Sequence, residues 1–165
     1  MRQHPVLFGV DVLDRRRVAA ALDRNGAVYT RQVTAADEHT PTGEEESLAV
    51  AAGVAVKESF VKAVGGRPPG FSWHDFAARE DVEVPDAAGR LLADALPSLA
   101  EATDVMLTES RAYAVRGASR VAALARLGAA GHDGTSVVGA ARWGRRHHVI
   151  VALAILVTIS EKESS

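Results

Sequence analysis

The sequence has no cysteine, which excludes disulfide cross-links and thiolate metal sites and fits a reducing compartment. Long hydrophobic runs are missing too. The longest, Val149 to Ile159, is interrupted by Thr158 and falls short of the roughly 20 apolar residues a membrane-spanning helix needs. Near the start, the run from Val6 to Val10 is shorter than the roughly 7–15 residues of a signal-peptide core. Neither sign of charge dominates: 19 Lys and Arg against 21 Asp and Glu leave a net charge of -2, which argues against a general polyanion binder. These absences predict a cytoplasmic protein with neither a membrane nor a nucleic-acid partner.

What is present is an ordinary globular composition. Of 165 residues, 47% are hydrophobic and 24% charged, enough to bury the core of one domain. One domain over residues 1–160 and a polar tail over 161–165 are expected. Val6 to Val12, punctuated by Gly9, reads as a buried strand with a close backbone approach at the glycine. Asp14 is placed to cap a helix through Arg15 and Leu22 that ends at Asn25-Gly26. Val28 to Val33 reads as a second strand. Thr42 and Glu45 form a capping box for a helix over about 43–64 that closes at Gly65-Gly66, apolar around most of its circumference and so central in the domain. Further on, Val82 to Val84 reads as a strand, and Leu91 to Ala102 and Ala118 to Leu127 as helices, the latter with Val121, Leu124 and Leu127 on one stripe. Ala112 to Val115 is a strand candidate. Two better ones, Ser136 to Trp143 and His148 to Ile159, are joined by a Gly144-Arg145-Arg146 turn. Strands mixed with helices point to an α+β fold.

Two segments carry the chemistry. In Gly9-Val10-Asp11-Val12 and in Lys57-Glu58-Ser59-Phe60-Val61-Lys62, a carboxylate stands among apolar residues, and in the second Glu58 and Lys62 share a helix face. Read alone, Asp11 is most simply a strand-end acid and Glu58–Lys62 a helical ion pair. Read together, two carboxylates with nearby lysines suit a hard divalent cation and a phosphate-rich ligand, because Mg²⁺ takes one or two carboxylates plus phosphate oxygens.

The same residues resemble the 4′-phosphopantetheinyl transferases, specifically the holo-acyl-carrier-protein synthase type. That family carries Gly-Ile-Asp-hydrophobic near its start, then an acid and an arginine, as Gly9 to Val12, Asp14 and Arg17 do here. Its helix motif, Lys-Glu-Ala-x-x-Lys-Ala-hydrophobic-Gly, is matched by Lys57 to Gly65. The resemblance covers residues 6–85 and returns in the last strand. It implies an α+β domain with an antiparallel sheet packed on a long central helix, assembling as a homotrimer. It also implies transfer of phosphopantetheine from coenzyme A to a serine of an apo acyl carrier protein, in fatty-acid or polyketide biosynthesis. On this reading Asp11 and Glu58 hold Mg²⁺, Glu58 assists deprotonation of the serine, and Lys62, with Lys57 as a second candidate, meets the phosphates. Gly65 lets the pantetheine arm pass; where the family's histidine segment is missing, Arg142 could replace a nucleotide-phosphate contact, a strand-edge role being the simpler alternative. Arg15, Arg16 and Arg17 stand where the family docks its acidic carrier; a solvated helix face is the equal alternative.

The chain also departs from the family. Gly53 and Val54 replace an arginine and an aromatic, no histidine occupies the place of a Ser-x-Ser-His segment, and residues 86–117 are longer than the usual connection. These departures motivate a second reading, a catalytically impaired module that binds coenzyme A or a carrier protein.

Overall fold

The computed structural model describes residues 4–38 and 45–160. The first strand, β1 (Leu7–Asp14), buries Gly9, Asp11 and Leu13 and turns Phe8, Val10 and Val12 outward, the two-residue alternation of a pleated strand. Gly9 is needed for contact with α2 (Glu46–Ala63): a Cβ there would overlap the Ser59 carbonyl. The helix therefore lies directly on the strand. Eleven of the 18 residues of α2 are buried, which fits its apolar circumference. Its one buried hydroxyl, Ser59, lies 2.9 Å from the Ala55 carbonyl and 3.2 Å from that of Ala152. Thr42 of the proposed capping box and the start of the expected helix fall on residues 39–44, outside the described residues; Glu45, the other member, precedes α2 and makes no side-chain cap hydrogen bond.

The remaining elements are α1 (Arg15–Val33), β2 (Phe76–Ala78), α3 (Asp86–Thr103), β3 (Glu109–Val115), α4 (Gly117–Arg126), β4 (Thr135–Arg146) and β5 (Val149–Ser160). The five strands form one antiparallel sheet in the order β1-β5-β4-β3-β2. On one face α2, with Leu124 and Leu127 from α4 and its end, buries Leu13, Phe60, Tyr113, Ile150, Ala152 and Ala154. On the other, Ala88 and Leu92 of α3 cover Val138, Ala140, Val151, Leu153 and Ile155. The α+β expectation holds.

Four sequence expectations are corrected. Residues 28–33 are helical, not a strand: α1 breaks at Gly26 (φ 45°, ψ -120°) and resumes. Tyr29 and Val33, one turn apart, pack on the core while Val28 is exposed, so tertiary packing overrides the β-branched composition. Val82 to Val84 pairs with no strand among the described residues; Val82 and Val84 pack under α3, an alternation of burial without a ladder. Val121 leaves the expected stripe and faces solvent, with Ser119, Ala123 and Leu124 inward instead. The hairpin turn falls at His147-His148, with Arg146 paired to Val149 and His147 at φ 55°.

Candidate active site

Asp11 is held where β1 crosses α2, and its Oδ1 accepts from Lys62 Nζ at 2.7 Å. One turn earlier on the same helix face, Glu58 Oε1 accepts from Arg67 Nη2 at 3.2 Å. Asp11 and Glu58 line one cleft of about 530 Å³, together with Arg17, Arg24, Tyr29 and Trp73. A cavity of that size suits a small-molecule ligand. Asp11 is buried and Lys62 half exposed, so the lysine can exchange its partner while the carboxylate stays in place.

On β1 and α1, neighbours shift two further groups. Asp14 caps α1 and receives hydrogen bonds from the backbone and guanidinium of Arg16, which hold its carboxyl down at about 2. Tyr29 is pushed up, mainly by burial, with Arg17 opposing and Glu58 adding to the shift. The start of α1 is tied to the β4–β5 hairpin by Arg15 N donating to His148 O at 2.8 Å.

The structure brings Asp11, Glu58, Lys62 and Arg17 together and separates the others. Lys57 is corrected: it is buried, donating to Val33 O at 2.7 Å and to Glu38 at 2.8 Å, so it braces the fold and does not face the cleft. Burial pushes its pKa down, against the opposing charge of Glu38. Arg142 is also corrected. It pairs with Leu153 in the α3 face of the sheet, opposite Asp11, and donates to Leu107 O at 3.0 Å. Its Nε is buried without a partner among the described residues. Gly65 has φ 89° and lies under the Arg126 guanidinium, so the backbone there is approached by a side chain of α4. Of the three consecutive arginines, Arg16 is engaged by Asp14 and Arg17 faces the cleft. Arg24, Tyr29 and Arg67 were missed by sequence reasoning. Arg67 reads in sequence as part of a proline turn, and Tyr29 as part of a strand.

The residues fit a divalent cation of one kind. No cluster of three or more His, Cys, Asp or Glu side chains occurs among the described residues, so an all-protein cage is not what the cleft offers. Two carboxylates in one cleft leave coordination positions for phosphate oxygens and water, the usual habit of Mg²⁺.

A holo-acyl-carrier-protein synthase from Plasmodium yoelii superposes with a TM-score of 0.55 over 96% of this chain and 99% of that one, at 16% identity, which shows the fold. The sequence likeness is narrower. A holo-[acyl-carrier-protein] synthase of Salinispora arenicola is 38% identical over 86 residues, 52% of this chain and 66% of that protein. One from Frankia casuarinae is 42% identical over 67 residues, 41% of this chain and 52% of the relative. The chain thus matches about half to two thirds of the length of these relatives. No protein-family profile matches it. The resemblance to the holo-acyl-carrier-protein synthase type of phosphopantetheinyl transferase is borne out, in sequence over about half the chain and in fold over nearly all of it.

Proposed function

We propose that the protein transfers 4′-phosphopantetheine from coenzyme A to a serine of an apo acyl carrier protein. One observation carries this reading: Asp11 and Glu58, 47 residues apart in sequence, line a single cleft beside Lys62, in a chain whose relatives are holo-acyl-carrier-protein synthases. Asp11 and Glu58 would hold Mg²⁺, which when bound supplies charge neutralisation and orientation for phosphoryl transfer. Glu58 takes the serine proton, directly or through water. The serine oxygen bonds to the phosphorus that carries pantetheine, the bond to the leaving phosphate breaks, and 3′,5′-ADP departs. Lys62, released from Asp11, offsets the charge that grows on the leaving group. Arg17 adds positive charge in the cleft, and half-buried Arg15 and exposed Arg16 at the start of α1 offer a docking face to an acidic carrier.

The homotrimer belongs to the same proposal. It is supported by the outer side of edge strand β1, where Phe8, Val10 and Val12 are 41%, 37% and 58% exposed. A cytoplasmic setting is proposed with it; no helix among the described residues is long and apolar enough to cross a membrane. The second reading, a binding module without turnover, draws on Gly53, where a Cβ would meet nothing, and on the engagement of Arg142 away from the cleft. Incubation with coenzyme A, Mg²⁺ and apo carrier proteins, followed by mass spectrometry of the carrier, decides between them. A carrier that gains the phosphopantetheine mass supports the enzyme. No gain on any of several carriers, with coenzyme A still bound, supports the module.

A further inference from the structure

Arg67 follows the two glycines that close α2, Gly65 at φ 89° and Gly66 at φ 123°, and precedes Pro68 and Pro69, whose rings stiffen the loop. The turn carries its side chain back toward the helix, so that Nη2 reaches Glu58. Its guanidinium carbon lies 4.8 Å from the centre of the Trp73 ring and 5.4 Å from that of Phe71. The two rings pack edge to face at 5.2 Å. They stand on a fixed base: Ser72 and Asp75 cap each other around the turn Trp73–Asp75, and buried Asp75 accepts from Ser119 N and Oγ at 3.1 and 2.7 Å. Arg67 is therefore the adjustable member of a rigid frame, and Trp73 beneath it lines the cleft with Asp11 and Glu58.

Attraction to the two rings keeps the guanidinium beside Trp73, a cleft-lining residue, whether or not it touches Glu58. The Glu58 contact itself is a single, partly exposed ion pair, the weak kind. A divalent cation on Glu58 and the Arg67 guanidinium draw on the same carboxylate. A guanidinium displaced from it, still stacked on Trp73, has a planar donor fork suited to phosphate oxygens.

We propose that Arg67 exchanges partners during the reaction, from Glu58 to the phosphate oxygens of coenzyme A, and so both opposes cation entry and holds the phosphate ligand. This rests on the function proposed above. The test uses Arg67→Ala and Arg67→Lys in a Trp143→Phe background, which leaves Trp73 as the fluorescent reporter. Binding of Mn²⁺ alone is followed by loss of its free-ion EPR signal, and binding of coenzyme A with Mg²⁺ by Trp73 emission and calorimetry. For Arg67→Ala the two affinities are expected to move in opposite directions: Mn²⁺ several-fold tighter, coenzyme A about tenfold or more weaker. Arg67→Lys should recover part of the coenzyme A affinity. A merely structural arginine would weaken both. Unchanged coenzyme A affinity, or weaker Mn²⁺ binding, in a protein that still transfers phosphopantetheine overturns the role of Arg67 alone; a wild-type protein that binds no coenzyme A overturns the underlying reading as well.

Discussion

Lys57 and Lys62 stand five residues apart on one helix, and each is paired with a distant carboxylate, yet the two pairs have opposite characters. Lys57–Glu38 is closed off, with side chains 2% and 5% exposed, whereas in Lys62–Asp11 they are 55% and 11% exposed. Glu38 also accepts from Ala35 N and Ala78 N, each at 2.7 Å. It thereby ties the end of α1 and strand β2 to α2. All three hydrogen bonds that Glu38 accepts are spent on architecture. At Asp11 the lysine is the exposed and replaceable partner, which suits the phosphate ligand proposed for this cleft. Burial of the cation, more than presence of the ion pair, separates a brace from a lysine free to change partners on the same helix.

The comparison can be broken at either pair. The largest effect on stability belongs to Glu38→Ala, which leaves Lys57 buried without its counter-charge and should cost about 3–5 kcal/mol, measured by denaturant unfolding. A loss under about 1 kcal/mol would show that the cluster is not a brace. Lys62→Ala should change stability by no more than about 1 kcal/mol, because the pair is partly exposed. Its phosphopantetheine transfer should nevertheless fall by about 10²-fold or more, followed by mass spectrometry of the carrier. Equal loss of stability in both variants would erase the distinction.

The smallest effect is on pH dependence and sharpens the region around Glu38. Its neighbour Asp37 receives hydrogen bonds from Arg116 and Arg79. These hold its carboxyl down at about 2, Arg116 contributing most, although desolvation opposes them. In the unfolded chain the group titrates near 3.8, so between those values the unfolded state binds more protons. The stability it contributes is complete above the unfolded value and is lost as pH falls through about 2. Asp37→Asn should flatten the decline in melting temperature over that window and leave a residual slope from Asp14, which is lowered for the same reason by Arg16. An unaltered slope would refute the assignment.

Much of this was legible in the chain. The apolar run broken by Gly9 and the apolar circumference of α2 announce a strand in close contact with a helix, and the two motifs bring Asp11, Glu58 and Lys62 to one place. The second half of α1 was hidden because Val28, Tyr29 and Val33 carry strand composition at helical spacing. The hairpin turn was displaced because Gly144 suggested a turn, whereas a Cβ on that buried residue would overlap the Met106 carbonyl and His147 takes the positive φ. The role of Lys57 was illegible: its carboxylate partner lies 19 residues away, and the strand which that partner also holds lies 40 residues from it. Arg67 was masked by its proline-rich turn, since nothing local shows that the loop folds back over Glu58.

The central claim is that the Asp11–Glu58 cleft performs phosphoryl transfer. Single-turnover transfer from coenzyme A to an apo carrier protein, compared between the wild type and Glu58→Gln at matched folded fraction, tests it most directly. The account predicts a fall of about 10²–10⁴-fold in the variant with the melting temperature nearly unchanged. Transfer by Glu58→Gln at the wild-type rate would contradict it.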